Sequence, residues 1–341
     1  MSEETIVDTA SARATLSRVA AEAAVSTSTV SKVLNGRTGV SETTRIRIEE
    51  LLAVHGYNRR GGGQTAALIE LVFSRLDNLW AIEIIRGVEA VARENGMSVI
   101  LTESGDRHSP APDWIEGVVQ RRPAGVILVF SDLSPDHKRQ LRTRNIPFVV
   151  VDPAGDPAPD VPSIGSANWS GGVLATRHLI DLGHRNIAMI TGPDDMMCSR
   201  ARVSGYRSAL DAAGIPIQDH LIVPGQFHRE DGIERGQELL SLPNPPTAVF
   251  AGSDLTALGV YEAARSVGVE IPRDLSVVGY DDLQIAQWAG PPLTTVKQPL
   301  SEMAAQATRL VLRLRNGREV ESLRIDLATS LVVRNSTARP A

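Results

Sequence analysis

Two aspartates and an arginine carry the most pointed chemistry in this sequence. Asp152 closes the apolar run PFVVVD, Asp281 closes LSVVGYD, and Arg202 stands early in the helix-patterned stretch SRARVSGYRSAL. Carboxylates accept hydrogen bonds and a guanidinium donates them in a fixed fork, so the three together suit the vicinal hydroxyls of a sugar. Trp80 and Phe227 are candidates to stack on the apolar face of a pyranose, with Trp288 a further one, and Ser253 follows the run TAVFAG. A carboxylate pair is also what a glycosidase uses. The histidines at 55, 108, 137, 178, 184, 220 and 228 are scattered, however, and no HExxH, GxSxG or CxxC pattern occurs. His178 and His184 flank a helix end and read as capping or surface residues. The triple glycine at 61–63 follows no strand and lacks the Gly-Lys-Ser/Thr of a phosphate loop, so no cofactor and no metal are expected.

A second set of residues suits a different chemistry. From Thr15 to Asn35 the spacing predicts two short helices joined by a tight turn. Leu16, Val19, Ala20 and Ala23 fall on one face of the first helix, Ala24-Val25 closes the turn, and Ser26 is a good N-cap for the second. Val30, Val33 and Leu34 give that second helix an apolar stripe. Thr27, Ser28, Thr29, Ser31 and Lys32 point outward. Short hydroxyl side chains with one cation let a helix approach a phosphate backbone and its base edges, as a helix-turn-helix recognition helix must. A third helix is expected from Ser41, with Ile46, Ile48, Leu51 and Leu52 inward and Gly56-Tyr57 at its end.

Charge supports one DNA-facing end. Residues 14–60 hold seven Lys and Arg against four Asp and Glu, a net +3, which leaves −8 for the rest of a chain whose total is −5. A small basic module on an acidic body fits contact with phosphates at one end only. Arg59 and Arg60 precede the glycines as an arm able to reach phosphates or the minor groove. The 341 residues allow two or three domains, the lone Cys198 permits no internal disulfide, no apolar run approaches a membrane span, and MSEETIVDTASAR has no signal-peptide core. A cytoplasmic protein with no membrane contact is expected.

The elements that position the first set follow from the alternation beyond residue 66. Short apolar strands at 68–74, 97–103, 125–130 and 147–152 alternate with helical stretches, and a second series of strands and helices runs from 171 to 281. Such alternation predicts parallel doubly wound sheets in two similar α/β lobes, with a ligand in the crevice at the strand carboxyl ends. Asp152, Ser253 and Asp281 all sit at such ends.

The runs V-S-x-x-T-V-S-x-V-L-N at Val25–Asn35, V-S-x-x-T-R at Val40–Arg45 and the closing Gly56-Tyr57 resemble the headpiece of the lactose/galactose repressor (LacI/GalR) family. SVVGYDD…PPLTTVKQPL at 276–300 resembles the effector-binding core of the same family, which is similar to periplasmic sugar-binding proteins. The resemblance runs from Thr15 to about Val333. It implies an all-α helix-turn-helix domain (14–58) and a two-lobed core (66–335), while composition alone predicts a disordered tail (1–13) and a Gly-rich linker (59–65). The N-lobe would hold 66–163 and 297–321, and the C-lobe 164–296 and 322–335. It also implies that Thr27, Ser28 and Lys32 read bases, while Ser26, Thr29, Ser31 and Asn35 touch the backbone, within a DNA-binding set that includes Thr15. Arg202 and Asp281 match effector-holding positions, with Asp152, Phe227 and Gln298 beside them. Ser253 stands where the family often has Asn, which implies a shorter reach to the ligand. Tyr57 to Thr65 is too short for the family's hinge helix and carries no apolar wedge. The function implied is a homodimeric repressor of carbohydrate-utilisation genes, bound to a pseudo-palindromic operator and responsive to a sugar. A protein coregulator or a purine-like effector is the alternative.

Overall fold

The computed structural model describes residues 16–34, 39–55, 67–76, 79–105, 110, 114–130, 133–320 and 322–340. The tail 1–13, the linker 59–65 and the site candidates Thr15, Asn35, Arg59 and Arg60 lie outside the described residues.

The headpiece is a three-helix unit: α1 (16–22), α2 (Thr27–Leu34) and α3 (Glu42–Val54). Val19, Ala20, Ala23, Val30, Val33, Ile48 and Leu52 form its core. Ile46 faces solvent instead, because the three-helix core closes over Ile48 and Leu52, and a residue two positions before Ile48 lies on the opposite face of the helix. Ser26 caps α2, its Oγ accepting from Thr29 N–H at 3.2 Å, and Ser41 caps α3 through Thr44 N–H at 3.3 Å. Ala24 makes the turn with φ +56, a left-handed conformation costly for any residue with a Cβ.

The N-lobe sheet contains β1 (Leu68–Phe73), β2 (Ser98–Glu103), β3 (Gly125–Val129), β4 (Phe148–Val151), β5 (Ser163–Ser166) and β11 (Arg324–Leu327), ordered β2-β1-β3-β4-β5-β11 and all parallel. Its helices are α4 (Leu79–Glu94), α5 (Trp114–Arg121), α6 (Pro135–Thr143) and α12 (Leu300–Arg315). The C-lobe sheet contains β6 (Ile187–Ile190), β7 (Ile222–Val223), β8 (Ala248–Ala251), β9 (Ser276–Asp281), β10 (Thr294–Lys297) and β12 (Ser330–Val332), flanked by α7 (Asn168–Asp181), α8 (Met197–Ala212), α9 (Arg229–Leu240) and α10 (Asp254–Ser266). A short α11 (Gln284–Trp288) follows β9. Among the described strands only β12 runs antiparallel, against β10. Each sheet is buried on both faces, which is why its central strands read as continuous apolar runs rather than as alternation.

The chain crosses between lobes after β5, after β10 and after β11. The first and third crossings fall beyond the expected 163 and 321. β5 and β11 pair with each other in parallel at the N-lobe edge, Ser163 to Arg324 and Ser166 to Leu327, so both stay with that sheet. Two glycines set the helix packing. A Cβ on Gly87 of α4 would lie 2.1 Å from Ser301 O of α12, and one on Gly205 of α8 would lie 2.2 Å from Trp169 O of α7. The second contact brings α8, and with it Arg202, against the start of α7.

Candidate functional site

A cleft of about 370 Å³ lies between the lobes at the strand carboxyl ends, within the usual size of a small-molecule site. Six of the seven expected residues line it: Trp80, Asp152, Arg202, Phe227, Ser253 and Asp281. Strand ends deliver them. β4 ends in Val151 and turns at Asp152, β9 ends in Asp281, β8 leads through Gly252 to Ser253, and α4 begins beside β1 to present Trp80.

Arg202 is the fixed centre. It is buried, its Nε donates to Asn168 Oδ1 at 2.9 Å and its Nη1 to Gly252 O at 2.7 Å. The guanidinium carbon stands 3.7 Å from the Tyr280 ring centroid and 5.2 Å from that of Phe227, so it lies within cation–π range of both rings. With one N–H of Nε and one of Nη1 committed to these partners, the two N–H groups of Nη2 and the second of Nη1 are the donors left for a ligand.

Asp152 and Asp281 are the acceptors. Burial raises the Asp152 carboxyl to about 6 against the opposing pull of Arg202. Burial likewise raises Asp281 to about 7, opposed by Arg202 and by the hydrogen bond from Gln298. Asp254 beneath them, fully buried and facing Asp281, is pushed well above the ordinary range by the same desolvation. Its oxygens accept from Thr295 Oγ1 at 2.5 Å and Leu283 N–H at 2.8 Å, so it holds the loop that carries Asp281. Four non-glycine residues lining the cleft have positive φ: Phe130 (+64), Asp152 (+48), Phe227 (+67) and Asp281 (+117). Strained backbone gathered at one cavity is a mark of a functional site.

Four expectations change in the folded chain. Gln298 does not line the cleft. Its Nε2 donates to Asp281 Oδ1 at 2.6 Å and its Oε1 accepts from Ser166 Oγ at 2.6 Å, so it sits behind Asp281 and steadies it. Ser253 lines the cleft but its hydroxyl is occupied: it accepts from Thr256 N–H at 3.1 Å as the cap of α10 and donates to Phe227 O at 3.0 Å. Trp288 is 70% exposed on α11, away from the cleft, because that helix is only five residues long and turns its last residue outward. The sequence reading also missed Phe130, which stacks on Trp80 at 4.8 Å between ring centroids. Phe130 directly follows β3, as Asp152 follows β4, and the strand-end rule that selected Asp152 would have found it. Nothing in the sequence singled out Asn168. His184 is not a surface residue either. It is buried, with Nδ1 2.9 Å from Thr247 Oγ1 and Nε2 3.0 Å from Ser276 Oγ and 2.9 Å from Ala338 O, and so ties the C-terminal segment to the C-lobe.

At the other end, Thr27, Ser28, Ser31 and Lys32 of α2 are exposed, while Ser26 and Thr29 are joined by a 2.8 Å hydroxyl contact at the helix start. Helix α3 of the headpiece meets the N-lobe: Arg139 of α6 lies 3.3 Å from Glu42 and 4.0 Å from Glu49. Burial raises the Glu49 carboxyl, with Arg139 opposing. The polar face of α2 therefore stays open.

A helix-turn-helix with an open polar face, carried on two α/β lobes that enclose a polar and aromatic cleft, defines a ligand-responsive DNA-binding regulator. Residues 15–60 match the model of the lacI family of bacterial regulatory proteins, and residues 176–337 match a periplasmic binding protein-like domain. The HTH-type transcriptional repressor CytR of Escherichia coli (strain K12) is 33% identical over 330 residues, 95% of this chain and 96% of that protein. A complex of the transcriptional regulator CelR with cellobiose is similar in structure, with a TM-score of 0.71 at 33% identity over 94% of this chain and 99% of that one. The lac repressor dimer bound to operator gives 0.69 at 27% identity, over 94% and 98%. The chain belongs to the LacI family of transcriptional regulators.

Proposed function

We propose that this regulator is a homodimeric repressor of carbohydrate-utilisation genes, that it sits on a pseudo-palindromic operator, and that a sugar in the inter-lobe cleft releases it. The observation that carries the sugar is the grouping of Arg202 with Asp152 and Asp281 beside the stacked Trp80–Phe130 pair. The carboxylates accept from ring hydroxyls, Arg202 donates, and the aromatic face covers the apolar side of the ring. The cellobiose bound by the similar CelR favours the same reading. A single recognition helix covers half a site, which favours a two-fold dimer, as in the similar lac repressor structure. Thr27, Ser28 and Lys32 are proposed to read bases, with Ser26, Thr29 and Ser31 near the backbone. A flat purine-like base would also stack on Trp80, so nucleosides belong in the same screen. The test is a thermal-shift screen of full-length protein against mono- and disaccharides and nucleosides, followed by DNA binding with and without the hit. A sugar that raises Tm and weakens DNA binding is the expected result. A nucleoside hit alone, or catalytic turnover of the sugar, would overturn the sugar-sensor reading.

A further inference from the structure

The end of the N-lobe opposite the cleft is assembled from helix C-termini, and arginines collect there. Strands of the parallel sheet begin at this end, so helices running back along the sheet finish at it. α6 carries Arg142 in its last turn and is capped by Arg144, α12 carries Arg313 and Arg315 in its last turn and is followed by Arg318, and Arg122 follows α5. The ends of α6 and α12 flank one open groove of about 430 Å³, lined by Arg142, Arg315, Asp160, Phe148 and Leu314 among others. Arg142, Arg313, Arg315 and Arg318 are exposed. Arg142 pairs with Asp160, while Arg313, Arg315 and Arg318 have no carboxylate within ion-pair distance among the described residues.

A helix dipole attracts a cation in the last turn, which is the ordinary explanation for a basic C-terminus. That effect accounts for one or two charges on α12 but fades beyond the last turn, and Arg318 lies past it, after Gly317 at φ +64. The concentration also runs against composition, since the chain outside the headpiece is net acidic. Geometry supplies a partner. β1 begins at Leu68, immediately after the segment that joins headpiece to lobe, so the headpiece and whatever duplex it holds are tethered to this end.

We propose that the arginine face formed by the ends of α6 and α12 is a second DNA-contact surface, which takes duplex phosphates outside the stretch read by α2. It rests on the DNA-binding reading of the headpiece and adds affinity that is independent of sequence. Each arginine that replaces a condensed counterion on a phosphate steepens the salt dependence of binding.

The experiment uses full-length protein and a labelled random-sequence duplex of roughly four helical turns. Anisotropy titrations across a salt series compare wild type, the combined variant R313Q/R315Q/R318Q, and the charge-conserving R313K/R315K/R318K. Three lost phosphate contacts reduce the log–log slope by about 2.7, so the drop in affinity between 50 and 200 mM salt shrinks by about fortyfold in the Gln variant. The Lys variant keeps the wild-type slope. An unchanged slope in the Gln variant, with wild type still binding, overturns this proposal alone and leaves the face to an acidic protein partner. Equal slope losses in the Gln and Lys variants would show a folding effect rather than charge, and would also overturn it. Wild type that binds no duplex would instead remove the underlying headpiece reading.

Discussion

Replacing Asp281 with Asn separates what the cleft costs the empty protein from what it gives the ligand. The Asp281 carboxyl is raised from 3.8 to about 7 by burial, against the pull of Arg202 and Gln298. An acid that binds its proton more tightly in the fold than in the unfolded chain favours the fold at low pH. That contribution is fully present below the unfolded value and is lost as pH rises through the folded one. Between pH 5 and pH 8 the loss from this one group is about 2–3 kcal/mol. Asn keeps an oxygen to accept from Gln298 Nε2 but has nothing to ionise. D281N should therefore gain on wild type as pH rises, by about 2–3 kcal/mol over that range, or about 5–10 °C in Tm for a core of this size. Thermal unfolding of both proteins at several pH values measures the difference, and terms common to both, such as those of the histidines, cancel. Effector binding should move the other way. Sugar hydroxyls donate to the ionised carboxylate, so wild-type affinity strengthens from pH 6 to 8, while D281N binds weakly at every pH and leaves a repressor that its inducer cannot release. A difference in Tm that stays constant from pH 5 to 8 would refute the claim that Asp281 is held protonated by burial.

Gln298→Ala removes the hydrogen bond that steadies the Asp281 carboxylate, so the pH at which effector affinity is half-maximal should rise relative to wild type, read by calorimetric titration across pH. Lys32→Ala on exposed α2 should cost about 1–3 kcal/mol on an operator and relax preference at one base pair per half-site, and an equal loss on random DNA would reduce Lys32 to a phosphate contact. Ala24→Gly relieves the φ of +56 in the headpiece turn and should stabilise the headpiece by about 0.5–1 kcal/mol, measured by hydrogen exchange of the α1 and α2 amides. His184→Ala abandons the buried partners Thr247, Ser276 and Ala338 and should cost about 2–4 kcal/mol in denaturant unfolding; a loss under 0.5 kcal/mol would mean the C-terminal segment is held by its other bonds.

The sequence by itself determined the elements and the chemistry that sits at their ends. Period-3.6 spacing with Ser26 and Ser41 as caps defined the headpiece helices, because capping and amphipathic patterning are local properties of the chain. Continuous apolar runs defined the central strands, because a sheet covered on both faces leaves no polar side to alternate with. In a parallel α/β lobe every such strand delivers its last residues to one crevice, which is why Asp152 and Asp281 could be named from the chain alone. Tertiary structure decided what depends on partners distant in sequence. β5 and β11 carry little apolar signal of their own and find their place only by pairing with each other across about 160 residues, so the lobe crossings at 163 and 321 moved outward. Gln298 and Ser253 are chemically able to meet a ligand, and only their packing shows that one supports Asp281 and the other closes the α10 cap. Trp288 and His184 exchange places relative to expectation, the indole outside and the imidazole inside, because burial is set by which elements pack over a residue and not by its hydropathy. The raised Asp281 carboxyl is of the same kind: desolvation comes from atoms of two lobes closing around one side chain, and no single stretch of chain contains that information.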